Sequence, residues 1–293
     1  MTIALETATA FCAAEITFAR FTADHLPGAF RLSQAEGWPH RREDWALALM
    51  VSDGFVALSE GEVVGTGLCS RFGETACLNM IIVAEAMRRR GLGRALMKRI
   101  IPLAGARGLR LVATADGAPL YKKMGFTQSG EILQHQGRAQ PQLAPRKPTL
   151  QELQVQRLEG RVASLADLRA LAQLDSAATG MDRRELFARI AKTSVILRID
   201  QGFALLRDFG RGKVIGPIVA QDAHSAGALL RAGVHHCQGQ FLRVDFTSNS
   251  GLTDLAENHG LLPVGGGLAM SLPPHPVKTT GTKTFALISQ ALG

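Results

Sequence analysis

An apolar run, a basic turn and a helical repeat follow one another near the middle of the first half of the chain. Residues 78–83 are apolar apart from Asn79, as is typical of a buried strand. The turn contains Arg88-Arg89-Arg90-Gly91-Leu92-Gly93, and apolar residues then recur with the spacing of one helix face. The order is therefore strand, glycine-bearing basic turn and helix.

The same reading along the chain predicts alternating strands and helices in two halves. In the first half we expect strands at 15–21, 54–59, 63–69, 75–83, 109–115 and 126–134, and helices at 22–35, 42–51, 92–108 and 118–124. In the second half we expect helices near 150 and at 164–178, 182–191, 223–233 and 251–259, and strands at 195–199, 202–207, 213–220, 241–246 and 268–272. The two halves repeat one order of elements.

The basic turn has the features of a phosphate site. The first N–H groups of a helix have no intrahelical partner, and the helix dipole adds partial positive charge there. Gly91 and Gly93 let an anion approach the backbone, and three arginines supply full charge. The spacing is neither the GxGxxG of dinucleotide-binding folds nor a P-loop. A glycine turn with solvated arginines is the alternative interpretation.

A second motif stands about thirty residues further on, at Leu120-Tyr121-Lys122-Lys123-Met124-Gly125-Phe126. An Arg-x-x-Gly-x-Gly turn followed at this distance by Leu-Tyr-x-x-x-Gly-Phe resembles the acyl-CoA signature of the GNAT acyltransferase superfamily. The resemblance extends over residues 14–137. It implies acetyl-CoA as cosubstrate and no metal.

The resemblance also implies roles for particular residues. The strand edge at 81–83 pairs with the pantetheine amides, a backbone N–H of Ile82 or Val83 polarises the thioester carbonyl, and the turn holds the pyrophosphate. Tyr121 is the implied general acid, with a packing role as its alternative. The implied cofactor-binding residues are Ile81, Ile82, Val83, Arg88, Arg89, Arg90, Gly91, Leu92, Gly93 and Arg94.

The sequence indicates fewer residues for the acceptor-binding part of the site than for the cofactor-binding part. Candidate substrate contacts are Glu36 and Trp38 between the first two helices, Asn79 in the strand, and Asp182, with Asp175 and Arg183, between the halves. For Asp182, helix capping and an ion pair with Arg183 is the alternative. The general base stays open among Glu36, His40, Asp53 and Asp116.

The second half resembles the C-terminal domain of two-domain bacterial GNAT proteins of the YitH type. The residues that carry this resemblance are Asp175, Gly180-Met181-Asp182-Arg183, Ile215-Gly216-Pro217 and Asn249. Its turn at 221–226 contains no glycine or arginine, and Asp222 would repel a pyrophosphate. The implied fold is α+β: tandem GNAT-like domains, each a mostly antiparallel central sheet flanked by helices. We expect a catalytic domain at 1–137, a linker at 138–149 and a domain without the pyrophosphate loop at 150–293.

Composition narrows the class of protein. Four cysteines without CxxC spacing fit a reducing cytosol, and the acidic residues near the N-terminus argue against a signal peptide. Without an apolar run of 18 residues we expect no membrane span and a cytoplasmic protein. The net charge of +8 arises mostly from residues 135–293, with 18 basic and 12 acidic side chains. Aromatic content of 5% and the lack of a binding motif favour a solvated basic surface over nucleic-acid binding.

Together these features predict an N-acetyltransferase that acts on the amine of a small molecule. A non-enzymatic acyl-CoA-binding sensor and a protein lysine acetyltransferase are the alternatives. Monomer and homodimer both stay open.

Overall fold

The computed structural model describes residues 15–140, 155–159, 163–273 and 281–293. The strands are β1 (Ile16–Arg20), β2 (Asp53–Ser59), β3 (Glu62–Phe72), β4 (Thr75–Val83), β5 (Gly108–Ala113), β6 (Thr127–Arg138), β7 (Gln156–Glu159), β8 (Val195–Ile199), β9 (Gly202–Phe209), β10 (Gly212–Ala220), β11 (Phe241–Thr247), β12 (Leu262–Leu272) and β13 (Lys283–Ala286). The helices are α1 (Leu26–Ala35), α2 (Arg42–Met50), α3 (Leu92–Ile100), α4 (Ala118–Lys123), α5 (Leu165–Thr179), α6 (Arg184–Ile190), α7 (Ala223–His236) and α8 (Thr253–Asn258). None of the helices in these ranges combines the length and the apolar character needed to cross a membrane.

Local signals predicted most of these elements. Strands β4 and β8 have the predicted bounds, and α5 begins after its N-cap Ser164, whose hydroxyl accepts a hydrogen bond from the Asp167 N–H. The helix predicted at 92–108 was too long. It ends at Ile100 and tightens into a 3-10 turn around Pro102, which lacks the N–H that continues an α-helix.

Three differences concern strands that pair across the halves. β6 runs past its predicted end at 134 to Arg138, the first residue of the predicted linker, because β11 and β12 pair with it on both sides. β12 begins at Leu262, well before the predicted start, and β13 was missed. A helix was expected near 150; residues 150–154 lie outside the described ranges, and the next described element is the strand β7.

The described strands form one continuous sheet in the order β1-β2-β3-β4-β5-β12-β6-β11-β13-β10-β9-β8-β7. Pairing is antiparallel except between β4 and β5 and between β10 and β11. The predicted tandem, mostly antiparallel architecture is confirmed, but the two central sheets are merged. β12 of the second half lies between β5 and β6 of the first half, and β6 in turn pairs with β11.

Helices cover the sheet on both faces. On one face, α3 and α4 pack over β4 and β5 around Met97 and Tyr121. On another part of the sheet, α1 and α2 enclose Trp45, whose Nε1 donates to Ser33 Oγ at 2.9 Å. Phe72 and Cys77 of the first half share a core with residues of α5 and α6. The halves are therefore joined by side-chain packing as well as by strand pairing.

A buried ion pair holds residues 292 and 293 of the second half in place. Arg183 donates from Nε to Asp175 Oδ2 at 2.9 Å and from Nη2 to Asp175 Oδ1 at 2.6 Å, and both side chains are fully buried. Its Nη1 donates to the main-chain oxygens of Leu292 and Gly293. The proposed pairing of Asp182 with Arg183 was wrong: Asp182 pairs with Arg184 at 2.6 Å.

We expect Asp175→Asn to lower the free energy of unfolding by about 3–5 kcal/mol, because the substitution leaves the Arg183 charge buried without compensation. The control is Asp53→Asn, whose ion pair with Arg71 at 2.6 Å is about half exposed and should contribute less than about 1 kcal/mol. Urea unfolding of both variants provides the measurement. Equal losses of unfolding free energy in the two variants would show that the buried ion pair stabilises the protein no more than the exposed one.

Candidate functional site

The central notch of the first half lies where β4 separates from β5. The two strands pair in parallel only between residues Thr75–Cys77 and Gly108–Arg110, and β4 then continues alone on that side to Val83. Within the described residues, β5 contributes no further partner to that edge of β4. The unpaired main-chain groups can therefore bond to an extended ligand.

A bulge shapes the open strand. Met80 has φ of 49°, and Met80 and Ile81 lie opposite the single residue Gly67 of β3. Thr66 Oγ1 donates to Met80 O at 2.6 Å and holds this geometry. A bulge re-aims the residues that follow it, so it changes which groups of β4 face the notch.

The turn after β4 ends in an uncapped helix. Gly91 is the N-cap of α3 with φ of 81°, and no side chain caps the helix. Among the described residues, none accepts a hydrogen bond from the N–H of Leu92, Gly93 or Arg94. A Cβ added at Gly91 would meet nothing within 4 Å. Donors without a protein acceptor, next to a residue with room around it, are what an anion at a helix start requires.

Other residues of the turn have different surroundings. Arg89, Arg90 and Arg94 are exposed. A Cβ at Gly93 would lie 3.2 Å from the Leu120 side chain, so this glycine permits helix packing rather than anion approach. Arg88 pairs with Glu36 and also donates from Nε to Val83 O at 3.2 Å. The charges of Arg88 and Glu36 therefore compensate each other and tie the turn to the end of α1.

Tyr121 lies on the wall of a cavity of about 220 Å³ beside the notch. Its ring is packed in the core against Phe126, and its hydroxyl group makes no hydrogen bond to the described residues. Burial raises the pKa of Tyr121 to about 12. The phenol consequently keeps its proton at neutral pH and is available as a donor.

Two of the four predicted substrate residues lie with Tyr121, and two do not. Trp38 and Asn79 line the same cavity. Asn79 donates from Nδ2 to Ser70 Oγ at 2.8 Å and to Cys77 O at 3.1 Å. Its buried Oδ1 has no partner in the part of the chain that the structure describes. Glu36 is held by Arg88, and Asp182 lines a different cavity of about 610 Å³.

The four candidates for the general base also lie in different places, and not all of them line the cavity beside Tyr121. Asp53 pairs with Arg71 and lines the cavity of about 610 Å³, and Asp116 lines none of the cavities described here. His40 lines the cavity beside Tyr121 and packs edge-on against Phe209 at 5.2 Å between ring centres. Its Nδ1 is buried and has no partner among the described residues.

The second half contributes residues that sequence reasoning missed. Phe209, Arg243 and Ser289-Gln290-Ala291 line the cavity together with Trp38 and Asn79. Arg243 and Asp245 form a buried pair with both carboxylate oxygens engaged at 2.9–3.2 Å. The one available signal was a pair of charged residues, Arg243 and Asp245, two positions apart in the otherwise mostly apolar β11. A neighbouring cavity of about 480 Å³ shares Gln290 and Ala291.

The loop at 38–40 is fixed by contacts with the second half. Asp44 accepts hydrogen bonds from Arg41 and from the Gly210 N–H at 3.0 Å, and Arg41 Nη2 donates to Asp208 O at 3.0 Å. Burial acts to raise the pKa of Asp44, but the hydrogen bonds from Arg41 and Gly210 lower it overall. An ionised Asp44 thus holds the β9–β10 turn against the candidate substrate loop.

In the described residues of the second half, the corresponding helix start and strand edge are both occupied. The carboxylate of Asp222 caps α7 by accepting from the Ser225 N–H at 2.7 Å, so the helix start carries its own anion. The notch between β10 and β11 is filled by β13, which pairs with Ile218–Ala220 on one side and with Phe246 on the other. The expectation that the turn at 221–226 differs in chemistry from the first turn agrees with this capping.

Comparison with known proteins agrees with this geometry. Models of the acetyltransferase (GNAT) domain match residues 51–128 and residues 171–286. The chain belongs to the GNAT acetyltransferase family. It is 28% identical to the uncharacterized N-acetyltransferase YitH of Bacillus subtilis over 236 residues, which cover 77% of this chain and 80% of YitH.

Solved structures show the same two-domain GNAT fold. A putative acetyltransferase from Pyrococcus horikoshii superposes with a TM-score of 0.78 at 20% identity, covering 95% of this chain and 96% of that one. A tandem GNAT protein from the clavulanic acid biosynthesis pathway gives a TM-score of 0.62 at 17% identity, with coverages of 89% and 100%. At these identities the likeness concerns the fold alone.

Burial lowers the pKa of His40 from 6.5 to about 4, with Asp44 opposing the shift and Arg243 and Arg207 adding to it. A depressed folded-state pKa gives stability that is complete above pH 6.5 and is lost as the pH falls towards 4. We therefore expect the wild-type protein to lose about 2–3 kcal/mol more than His40→Gln between pH 7 and pH 4.5. Urea unfolding at the two pH values measures this difference. Parallel losses in both proteins would show that His40 is not held neutral by the fold.

Proposed function

We propose that this GNAT protein transfers an acetyl group from acetyl-CoA to the amine of a small molecule by direct attack in a ternary complex. The observation that carries the proposal is the combination, in the first half, of an open β4 edge, an uncapped α3 and a tyrosine on the cavity wall. The residues at 1–137 would form the catalytic domain and those at 150–293 a domain without a pyrophosphate loop. Two-domain relatives with acetyltransferase names support the same interpretation.

The residues present fit acetyl-CoA at one end of the site. The N–H groups at 89–94 would receive the pyrophosphate, with Arg89, Arg90 and Arg94 supplying charge. Ile81, Ile82 and Val83 offer main-chain groups to the pantetheine amides. When bound, the thioester supplies an activated acyl carbon.

The reaction also requires proton transfers, in which side chains of this protein take part. The amine nitrogen forms the new C–N bond, the C–S bond breaks, and Tyr121 donates its phenolic proton to the departing thiolate. A main-chain N–H of Ile82 or Val83 stabilises the developing oxyanion. His40 lies in the cavity, but burial lowers its pKa to about 4 and makes it too weak a base for an ammonium group. The amine would therefore attack in its neutral form and release its proton to water. Asn79 Oδ1 is an acceptor suited to hold the amine.

We expect Gly91→Val to weaken coenzyme A binding by more than about tenfold, because a side chain there would occupy the space in front of the helix N–H groups. The matched control is Gly239→Val, since Gly239 also has positive φ (74°) and open space around its Cα but lies between α7 and β11. Both variants carry similar backbone strain. Calorimetric titration measures the affinities, and an unchanged affinity in Gly91→Val would count against the assignment of the turn.

Removal of the Tyr121 hydroxyl group tests the acid. We expect Tyr121→Phe to reduce turnover by roughly 100-fold while coenzyme A affinity and thermal unfolding stay nearly unchanged, since the hydroxyl bonds to no described residue. Release of free thiol from acetyl-CoA across a panel of amines reports turnover. Equal turnover in the two proteins would remove Tyr121 from catalysis. Tight coenzyme A binding with no amine accepted by the wild type would instead favour an acyl-CoA sensor.

A further inference from the structure

A group of buried charges from both halves surrounds the cavity wall opposite β4. The guanidinium carbons of Arg207 and Arg243 each lie 5.2 Å from the ring centre of Phe209, which lines the cavity. Asp44 and Asp245 are the buried carboxylates of the group. The ion pairs within this group determine which of these charges compensate one another.

Among the described residues of this group, Arg207 is the cation that has no carboxylate partner. Asp44 is engaged by Arg41, and Asp245 is engaged by Arg243 and by Gln290 Nε2 at 3.0 Å. Arg207 donates only to main-chain oxygens, to Ile288 O at 2.9 Å and Asp208 O at 3.4 Å. No described carboxylate forms an ion pair with it, and its buried Nε has no partner.

The uncompensated cation persists at neutral pH. Burial lowers the pKa of Arg207 to about 10, which still leaves the guanidinium protonated at pH 7. His40, the neutral imidazole nearby, adds no positive charge. A buried charge without a counter-charge is costly, and an anion brought into the same low-dielectric region reduces that cost.

Arg243 provides a contact for such an anion. Its Nε and Nη2 are occupied by Asp245, whereas its Nη1 makes no hydrogen bond to the described residues. Arg243 lines the cavity that also contains Tyr121 and Asn79. One edge of a cavity-lining guanidinium is thus without a partner among the described residues, and such an edge binds a carboxylate with charge assistance.

We propose that the acceptor is a small amine that also carries a carboxylate, as an α-amino acid does. Arg243 holds the carboxylate with the charge of Arg207 behind it, and the amine lies towards Asn79 and His40. This inference rests on the proposed acetyl transfer and names its substrate class.

The experiment compares acceptors that differ by one charge. Thiol release from acetyl-CoA is measured with α-amino acids and with the matched α-amino amides, which keep the amine and lose the carboxylate. We expect the acids to exceed the amides by about 100-fold in kcat/KM, and Arg243→Gln to reduce this ratio below about tenfold. Arg211→Gln, which removes an exposed charge between β9 and β10, should keep the ratio.

A second variant guards against misfolding, because Arg243→Gln leaves Asp245 without its partner. Arg207→Met removes the unpaired cation, so its unfolding midpoint should not fall below that of the wild type. Its KM for acids should rise about tenfold while kcat and the KM for amides stay unchanged. A fall in stability with an unchanged preference for acids would show that Arg207 is purely structural and would overturn its part in recognition.

The outcomes separate the inference from the proposed function. Equal activity with acids and amides overturns the inference and leaves acetyl transfer standing. If neither series releases thiol but another amine of the panel does, the inference is overturned and acetyl transfer stands. If no amine releases thiol, the proposed function fails, and thermal stabilisation by N-acetyl amino acids and by their amides is compared. Greater stabilisation by the acids, lost in Arg207→Met, supports an anion site; equal stabilisation overturns it.

Discussion

The separation of β4 from β5 after three paired residues is the constraint on which the rest of the site depends. A strand edge inside a covered sheet must find partners for its N–H and C=O groups. In the first half the edge is left open next to a bulge at Met80 and an uncapped helix. In the second half the corresponding edge is closed by β13 and the helix is capped by Asp222. One fold therefore appears twice, with the conditions for a ligand met once.

The strand that closes the second notch also shapes the first site. After β13, the Leu287 N–H donates to Asp245 O, Ile288 O accepts from Arg207, and Ser289-Gln290-Ala291 reach the cavity wall. The same segment ends in contact with Arg183, which the Asp175 carboxylate holds in place. Closure of the β10–β11 notch and completion of the cavity in the first half are thus consequences of one chain path. Sites between domains commonly draw on both in this way.

Sequence reasoning succeeded where the signal is local. The strand-turn-helix around Gly91, the Ser164 cap and the position of Tyr121 depend on neighbours within a few residues, and the predicted tandem GNAT fold is confirmed. The paths of β6, β12 and β13 could not be predicted in this way, because each is stabilised by a strand from the other half. For the same reason Phe209 and Arg243, which belong to the second half, were missed. The assignment of Glu36 to the substrate stays a prediction, although Glu36 pairs with Arg88 of the same half.

Closure by the second half also sets the charge of the cavity. Burial lowers the pKa of both His40 and Arg207, but the consequences differ, because the first falls to about 4 and the second only to about 10. At pH 7 the imidazole is therefore neutral and the guanidinium is charged. The Gly210 N–H donates to Asp44, so the β9–β10 turn lies against the loop at 38–40. Packing between the halves thus places a neutral imidazole and a charged guanidinium near one cavity, and this asymmetry is the basis for the proposed binding of an acceptor with two different polar ends.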